Sequence, residues 1–373
     1  MPPRLTAAEQ AALDEKLRDA AWANRVRRAA ALIERGADVN AKDGTQQSAY
    51  LIATSEGYLD LLRLTLERGA DVRSRDSFDG TGLIRAAERG HHLVVGELLQ
   101  AGVERDHVNR LGWTAIHEAV WLGEDTLSYE DTVRVLVAGG VALDLPSVRE
   151  GLTPLQMARS RGFTRLETVL EPALTARRPA EPDAALLRAA RTGDADHAAR
   201  ALRAGADLEA RNARGQTALL LAATHDHLAV ARLLVALGAD PDARDHQQDT
   251  PWLVTGVTGS VAMLEALLPA DPDLALLNRF GGTSLIPASE RGHVGYVRRV
   301  LTTGIDVDHV NRLGWTALLE AVILGDGGRD HQRIVRLLLD AGADPSIPDA
   351  DGVAALEHAR ARGQDEVARL LTG

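Results

Sequence analysis

Residues 215–225 read Gly-Gln-Thr-Ala-Leu-Leu-Leu-Ala-Ala-Thr-His, and an apolar stretch from Leu228 to Ala236 then leads to Gly238-Ala-Asp. A turn glycine precedes a threonine able to cap a helix, and the short Ala/Leu helix that follows is slim enough for close approach by a neighbour. The second stretch places Val230, Leu233 and Leu234 on one helical face. Gly238 suits a left-handed helix stop, and Ala239 to Asp249 reads as an extended, charged finger. Neither helix could bury its apolar face alone, so such a unit is stable only when stacked on others.

The same unit recurs along the chain. Gly-Ala-Asp begins at Gly36, Gly69, Gly205, Gly238 and Gly342, with degenerate copies at Gly102 and Gly304. Within each half, steps between neighbours are 33 residues or twice 33, except for one step of 38, Gly102 to Gly140 in the first and Gly304 to Gly342 in the second. A second repetition lies above the first. Shifting by 202 aligns 107–123 with 309–325, identical at 14 of 17 positions, and pairs Glu88-Arg89-Gly90-His91 with Glu290-Arg291-Gly292-His293.

The pattern Gly-x-Thr-Ala/Pro-Leu-x-x-Ala, a Leu/Val helix, then Gly-Ala-Asp resembles the ankyrin repeat, over nearly the whole chain. The resemblance implies an all-α solenoid of about eleven helix-pair units joined by extended, β-hairpin-like fingers. The wording of 313–328 is similar to bacterial ankyrin proteins. Gln46 and Asp79 stand where the family has its turn glycine, and Pro269 with Asp271-Pro272 replaces the usual end of a unit, so distorted fingers are expected there. A first array over 1–171, a Pro/Arg-rich junction over 172–181 and a second array over 182–373 follow from the duplication. One continuous superhelix and two abutting arrays both accommodate the spacing, with the continuous one favoured.

Composition agrees with thin layers. Only 3% of the 373 residues are aromatic, against 45% hydrophobic, so the interior must be built from Ala, Leu and Val. The absence of cysteine removes disulfide frameworks, thiolate metal sites and thiol catalysis. A net charge of −11 disfavours nucleic acid as a partner. No run approaches a membrane span, and Met1 to Lys16 reads as a helix and not a signal peptide. A monomeric, cytoplasmic protein is expected.

Catalytic signatures for nucleotide, hydrolase and zinc-protease chemistry are missing, so no enzyme and no cofactor is expected. His91, His117 and His293 fall where the repeat places a structural histidine. The longer step lengthens the loop between two helices at 122–132 and 324–334, where it is expected to cover Leu122 and Leu324. Asp326 and Asp330 there leave open a metal- or small-ligand-responsive sensor. The favoured function is a non-enzymatic scaffold or adaptor that binds a partner protein, with a basic surface, along a concave groove and the fingers. The exposed positions of the repeat select Trp22, Glu88, Arg89, Trp113, Trp121, Gln216, His225, Glu290, Arg291 and Trp315 as contact residues, Trp and Arg being common interface anchors. Trp252 instead replaces a core leucine.

Overall fold

The computed structural model describes residues 6–373, so the first five residues of the expected amino-terminal helix lie outside the described part. Among the described residues there are 22 α-helices and no strand, which form eleven pairs from Ala7–Trp22 with Val26–Glu34 to Ala355–Ala361 with Asp365–Leu371. Two isolated bridges, Arg75 with Thr81 and Arg211 with Thr217, are the β-like part of the fingers. Contacts divide the chain into two compact units. One runs to Leu186 and adds Ala195–Asp207 and Ala236–Gly238; the other holds Leu187–Asp194, Leu208–Val235 and Ala239–Gly373.

Many first helices start where a hydroxyl accepts from the third backbone N–H of the helix. Ser48, Thr81, Thr217, Thr250 and Thr316 accept from Leu51, Ile84, Leu220, Leu253 and Leu319. The layers between helices are Ala, Leu and Val, with Tyr50, Trp252 and Tyr296 the largest fully buried side chains. Histidines then tie a repeat to the one before it. His91, His227 and His293 place Nε2 3.1–3.2 Å from the carbonyls of Ser55, Arg191 and Val257. The ring lies against a glycine: a Cβ on Gly57 would stand 2.6 Å from the His91 ring. His117 differs from this set, because its Nδ1 meets the Thr114 hydroxyl at 2.8 Å inside its own helix cap.

The fingers share one turn. At Asp43, Asp76, Asn109, Asn212, Asp245, Asn278, Asn311 and Asp349 the side-chain Oδ1 accepts from the backbone N–H two and four residues later, at 2.8–3.1 Å. This side-chain turn replaces the ladder bonds a short finger lacks. It also holds Gln46 (φ +67°), Asp79 (+58°) and Gln248 (+64°) in the left-handed conformation that glycine takes elsewhere. The expected distortion at Gln46 and Asp79 is therefore absent, and the cost is backbone strain. Near residue 270 the unit does depart from the pattern, ending in a 3₁₀ turn, Leu268–Ala270, and a left-handed Asp271.

The expectation that the inserted loops cover Leu122 and Leu324 is corrected. The five extra residues do not simply lengthen a loop: Leu127–Ala138 and Arg329–Asp340 are each 12 residues long, against nine in His92–Gln100. Because part of the insertion becomes helix, Leu122 and Leu324 stay uncovered, 47% and 49% exposed. At the junction, Thr164–Thr175 stays helical through Pro172, with the Ala176 N–H donating to the Pro172 carbonyl. Within the first compact unit, Ala195–Arg203 packs chiefly on Leu127–Ala138 instead of on the adjacent Thr164–Thr175. Arg134 there pairs with Glu130, with Asp131 at 3.2 Å and with Asp196 at 2.6 Å.

Replacing Gln46 and Gln248 by glycine is expected to raise the unfolding free energy by about 0.5–1 kcal/mol each, through relief of left-handed strain. Urea titration of each variant reads the gain directly.

Candidate binding site

The finger turn uses one side-chain atom and leaves the other pointing at the first helix, nine residues on. In two of the asparagine fingers the Nδ2 donates to a glutamate at that position, whereas Asn212 donates to Gln216 and Asn278 has Pro287 nine residues on. Asn109 donates to Glu118 at 2.5 Å and Asn311 to Glu320 at 2.7 Å. Where the finger residue is aspartate, a cation answers: Asp349 meets His358 at 2.7 Å and Asp76 meets Arg85 at 3.4 Å.

Glu118 and Glu320 are therefore carried into buried positions, 3% and 5% exposed. Burial, with Glu88 adding repulsion, pushes the Glu118 carboxyl up to about 7 from an ordinary 4.5. Burial and Glu290 do the same for Glu320, also to about 7. The second carboxylate oxygen of Glu118 has no hydrogen-bond partner. For Glu320, Asn311 supplies the one hydrogen bond among the described residues.

Each acid lines a pocket. In the first unit the pocket is small, 180 Å³, and its walls include Phe78, Ile84, Leu111 and Leu122. In the second unit it is 660 Å³, with Phe280, Ile286, Leu313 and Leu324 at the positions related by the 202-residue shift. Phe280, Leu313 and Leu324 are about half exposed. The apolar groups of such a rim, open to solvent above a buried acid, would gain on being covered, and the carboxyl offers a directional contact.

The contact residues expected from the sequence are only partly gathered here. Gln216, Glu290 and Arg291 line the larger pocket and Glu88 the smaller. Arg89 is exposed and spent on Glu56 at 2.5 Å, and His225 is exposed beside His227. Trp22 is exposed, away from both pockets. Trp113 is buried, its indole N–H donating to Glu150 at 2.7 Å. Trp121 is half-buried, packed on Trp113 and beneath Arg161. Trp315 is less covered than Trp113, because Gly352 stands where the first half has Glu150. Asp326 is taken up by its own loop, accepting from the Gly328 N–H and from His331, both at 2.8 Å, and Asp330 pairs with Arg333.

Glu118 and Glu320 were not among those expectations. Their signal was available: Asn and Glu nine residues apart, in both copies of the duplicated stretch.

Sequence models of the family described as ankyrin repeats match residues 49–145, 172–245 and 253–349, more than half of the chain. The chain is an ankyrin-repeat protein. It is similar to the ankyrin repeat protein YahD of Escherichia coli (strain K12), 42% identical over 141 residues, which are 38% of this chain and 70% of that protein. Among solved structures, an ankyrin repeat domain from Acinetobacter baumannii AYE is 45% identical, with TM-score 0.49, over 50% of this chain and 95% of its own. The ankyrin repeat protein EF0377 is 36% identical, with TM-score 0.49, over 51% of this chain and 97% of its own. Ankyrin repeats in general are modules of protein–protein interaction without catalytic activity.

Titration of the two buried acids gives a pH prediction. Below pH 4.5 each is neutral whether the chain is folded or not; above it the unfolded chain ionises while the folded carboxyl holds its proton, so stability falls until pH passes about 7. Glu118→Gln and Glu320→Gln keep the asparagine bond and remove this loss. Each variant is expected to gain about 1–2 kcal/mol on wild type between pH 4.5 and 8. Asn311→Asp should do the opposite, by setting a carboxylate against Glu320. Thermal melts across that range check both.

Proposed function

We propose that this ankyrin-repeat chain is a non-enzymatic adaptor that seats a segment of a partner protein in the second unit's groove. The observation that supports it is the exposed apolar trio Phe280, Leu313 and Leu324 around a pocket of 660 Å³. Apolar side chains at a groove are what a partner's covering makes favourable, by roughly 25 cal/mol for each Å² removed from water. Gln216, Glu290 and Arg291 supply the polar edge of the same groove. The first unit keeps the design at a third of the volume or less and is the lesser surface.

The excess of acid over base along the chain favours a partner with a basic surface. Trp22 and His225 are exposed and open to a long partner, Arg89 is exposed but paired with Glu56, and Trp113 and Trp121 contribute mainly to packing.

Affinity capture from the native cell, with wild type and with the double variant Leu313→Asp/Leu324→Asp, tests the reading. Loss of the captured protein by the variant, about tenfold or more in affinity, is expected. Stability should hold within roughly 1 kcal/mol, because both side chains are surface residues. Equal capture by the two proteins would place the binding face elsewhere.

A further inference from the structure

The two pockets differ in one charge that matters. In the first unit Arg85 lies between Glu88, at 2.5 Å, and Asp76, at 3.4 Å, and its charge also acts on Glu118. That pocket is thus supplied with its own guanidinium. In the second unit the shift of 202 puts Pro287 at the position of Arg85 and Asn278 at that of Asp76, while Glu88 and Glu118 are kept as Glu290 and Glu320. The salt bridge has gone: of the two carboxylates paired with Arg85 only Glu88 keeps its counterpart, as Glu290, while the buried acid that feels the charge of Arg85 is kept as Glu320. Arg214, Arg279 and Arg291 stand along the same pocket, with Asp245 and Asp249 among them. Arg279 is occupied by Asp249 at 3.3 Å, and among the described residues no ion pair reaches Glu290 or Glu320.

We propose that the second unit's pocket receives an arginine side chain from the partner segment, its guanidinium at the place Arg85 fills in the first unit, paired with Glu290 and beside Glu320. The proposal rests on the adaptor reading above and names the chemistry of its partner. Three features support it. Glu320 is 95% buried yet lines the pocket with a carboxylate oxygen that no residue of the chain satisfies. A planar guanidinium can bridge two carboxylates with several donors, which a lysine ammonium does less well. The space is present: 660 Å³ against the 180 Å³ left in the pocket that Arg85 occupies. Leu313 and Leu324 then cover the aliphatic part of the arginine and its apolar neighbours. A peptide is favoured over a free amine because only a chain bearing apolar residues would use that rim.

The test uses the full-length chain and the peptide acetyl-Ala-Leu-Arg-Leu-Ala-amide, titrated by calorimetry and by NMR. One peptide is expected to bind per chain, and its citrulline counterpart, isosteric and neutral, at least tenfold more weakly. Pro287→Arg supplies the pocket with an internal arginine, as the first unit already has, and should reduce binding tenfold or more while leaving the melting temperature close to wild type. Arg85→Ala should open the first pocket and add a second peptide site. Glu320→Gln should weaken binding without unfolding the chain. Equal binding of the citrulline peptide, undiminished binding to Pro287→Arg, failure of the arginine peptide to bind at all, or tighter binding of spermidine than of the peptide would each overturn the proposal. The two readings fail separately. Partner capture lost on Leu313→Asp/Leu324→Asp but kept on Pro287→Arg would leave the adaptor reading standing without an arginine in the pocket.

Discussion

Eight fingers of this protein are held by an asparagine or aspartate side chain that caps its own backbone, and in four of them the remaining atom of that side chain meets a charged residue on the next helix. One carboxamide or carboxylate oxygen is fully used by two N–H groups. The other atom is a donor in asparagine and an acceptor in aspartate. Hence Asn109 and Asn311 each donate to a buried glutamate nine residues later, whereas Asp76 and Asp349 meet Arg85 and His358 there. A buried acid without such a donor would be too costly to keep. The turn that shapes the finger thereby also seats the acid at the floor of the pocket.

Duplication shows how much of this design can change at once. The stretches 107–123 and 309–325 are nearly identical, and so are the Asn–Glu pairs they carry. Around them the halves have diverged in pairs: Asp76 and Arg85 became Asn278 and Pro287, and the Glu150 that holds Trp113 became Gly352. The inserted residues diverged too. In the first half Glu130 and Asp131 grip Arg134 together with Asp196, a packing task; in the second the matching residues are Gln332 and Arg333. His331 and Tyr129 nevertheless both reach back to the carbonyl of the preceding repeat, at Glu290 and Glu88, each at 2.9 Å. The extra turn of helix is kept as a strut, and its exposed side is free to vary.

Much of the fold was legible because repetition multiplies a weak local signal. A single Gly-x-Thr or a single Gly-Ala-Asp says little; eleven helix pairs in phase leave one architecture. The site was less legible. Tryptophan position pointed to Trp113 and Trp121, which the structure turns inward onto Glu150 and Arg161, since an aromatic ring in a chain of small residues is readily used for packing. The informative residues were charged ones at a helix position where the repeat is normally apolar, and their meaning depended on a partner nine residues away.

The sequence by itself determined the period, the helix pairs, the duplication and the thin Ala/Leu/Val layers, because each follows from contacts within a repeat or with its immediate neighbour. Only the tertiary structure decided which glutamates are buried, which leucines stay exposed and which helix Arg134 is tied to. Those outcomes depend on side chains brought together across repeats, such as Arg134 with Asp196 or Glu320 with Glu290, and local pattern carries no record of such meetings.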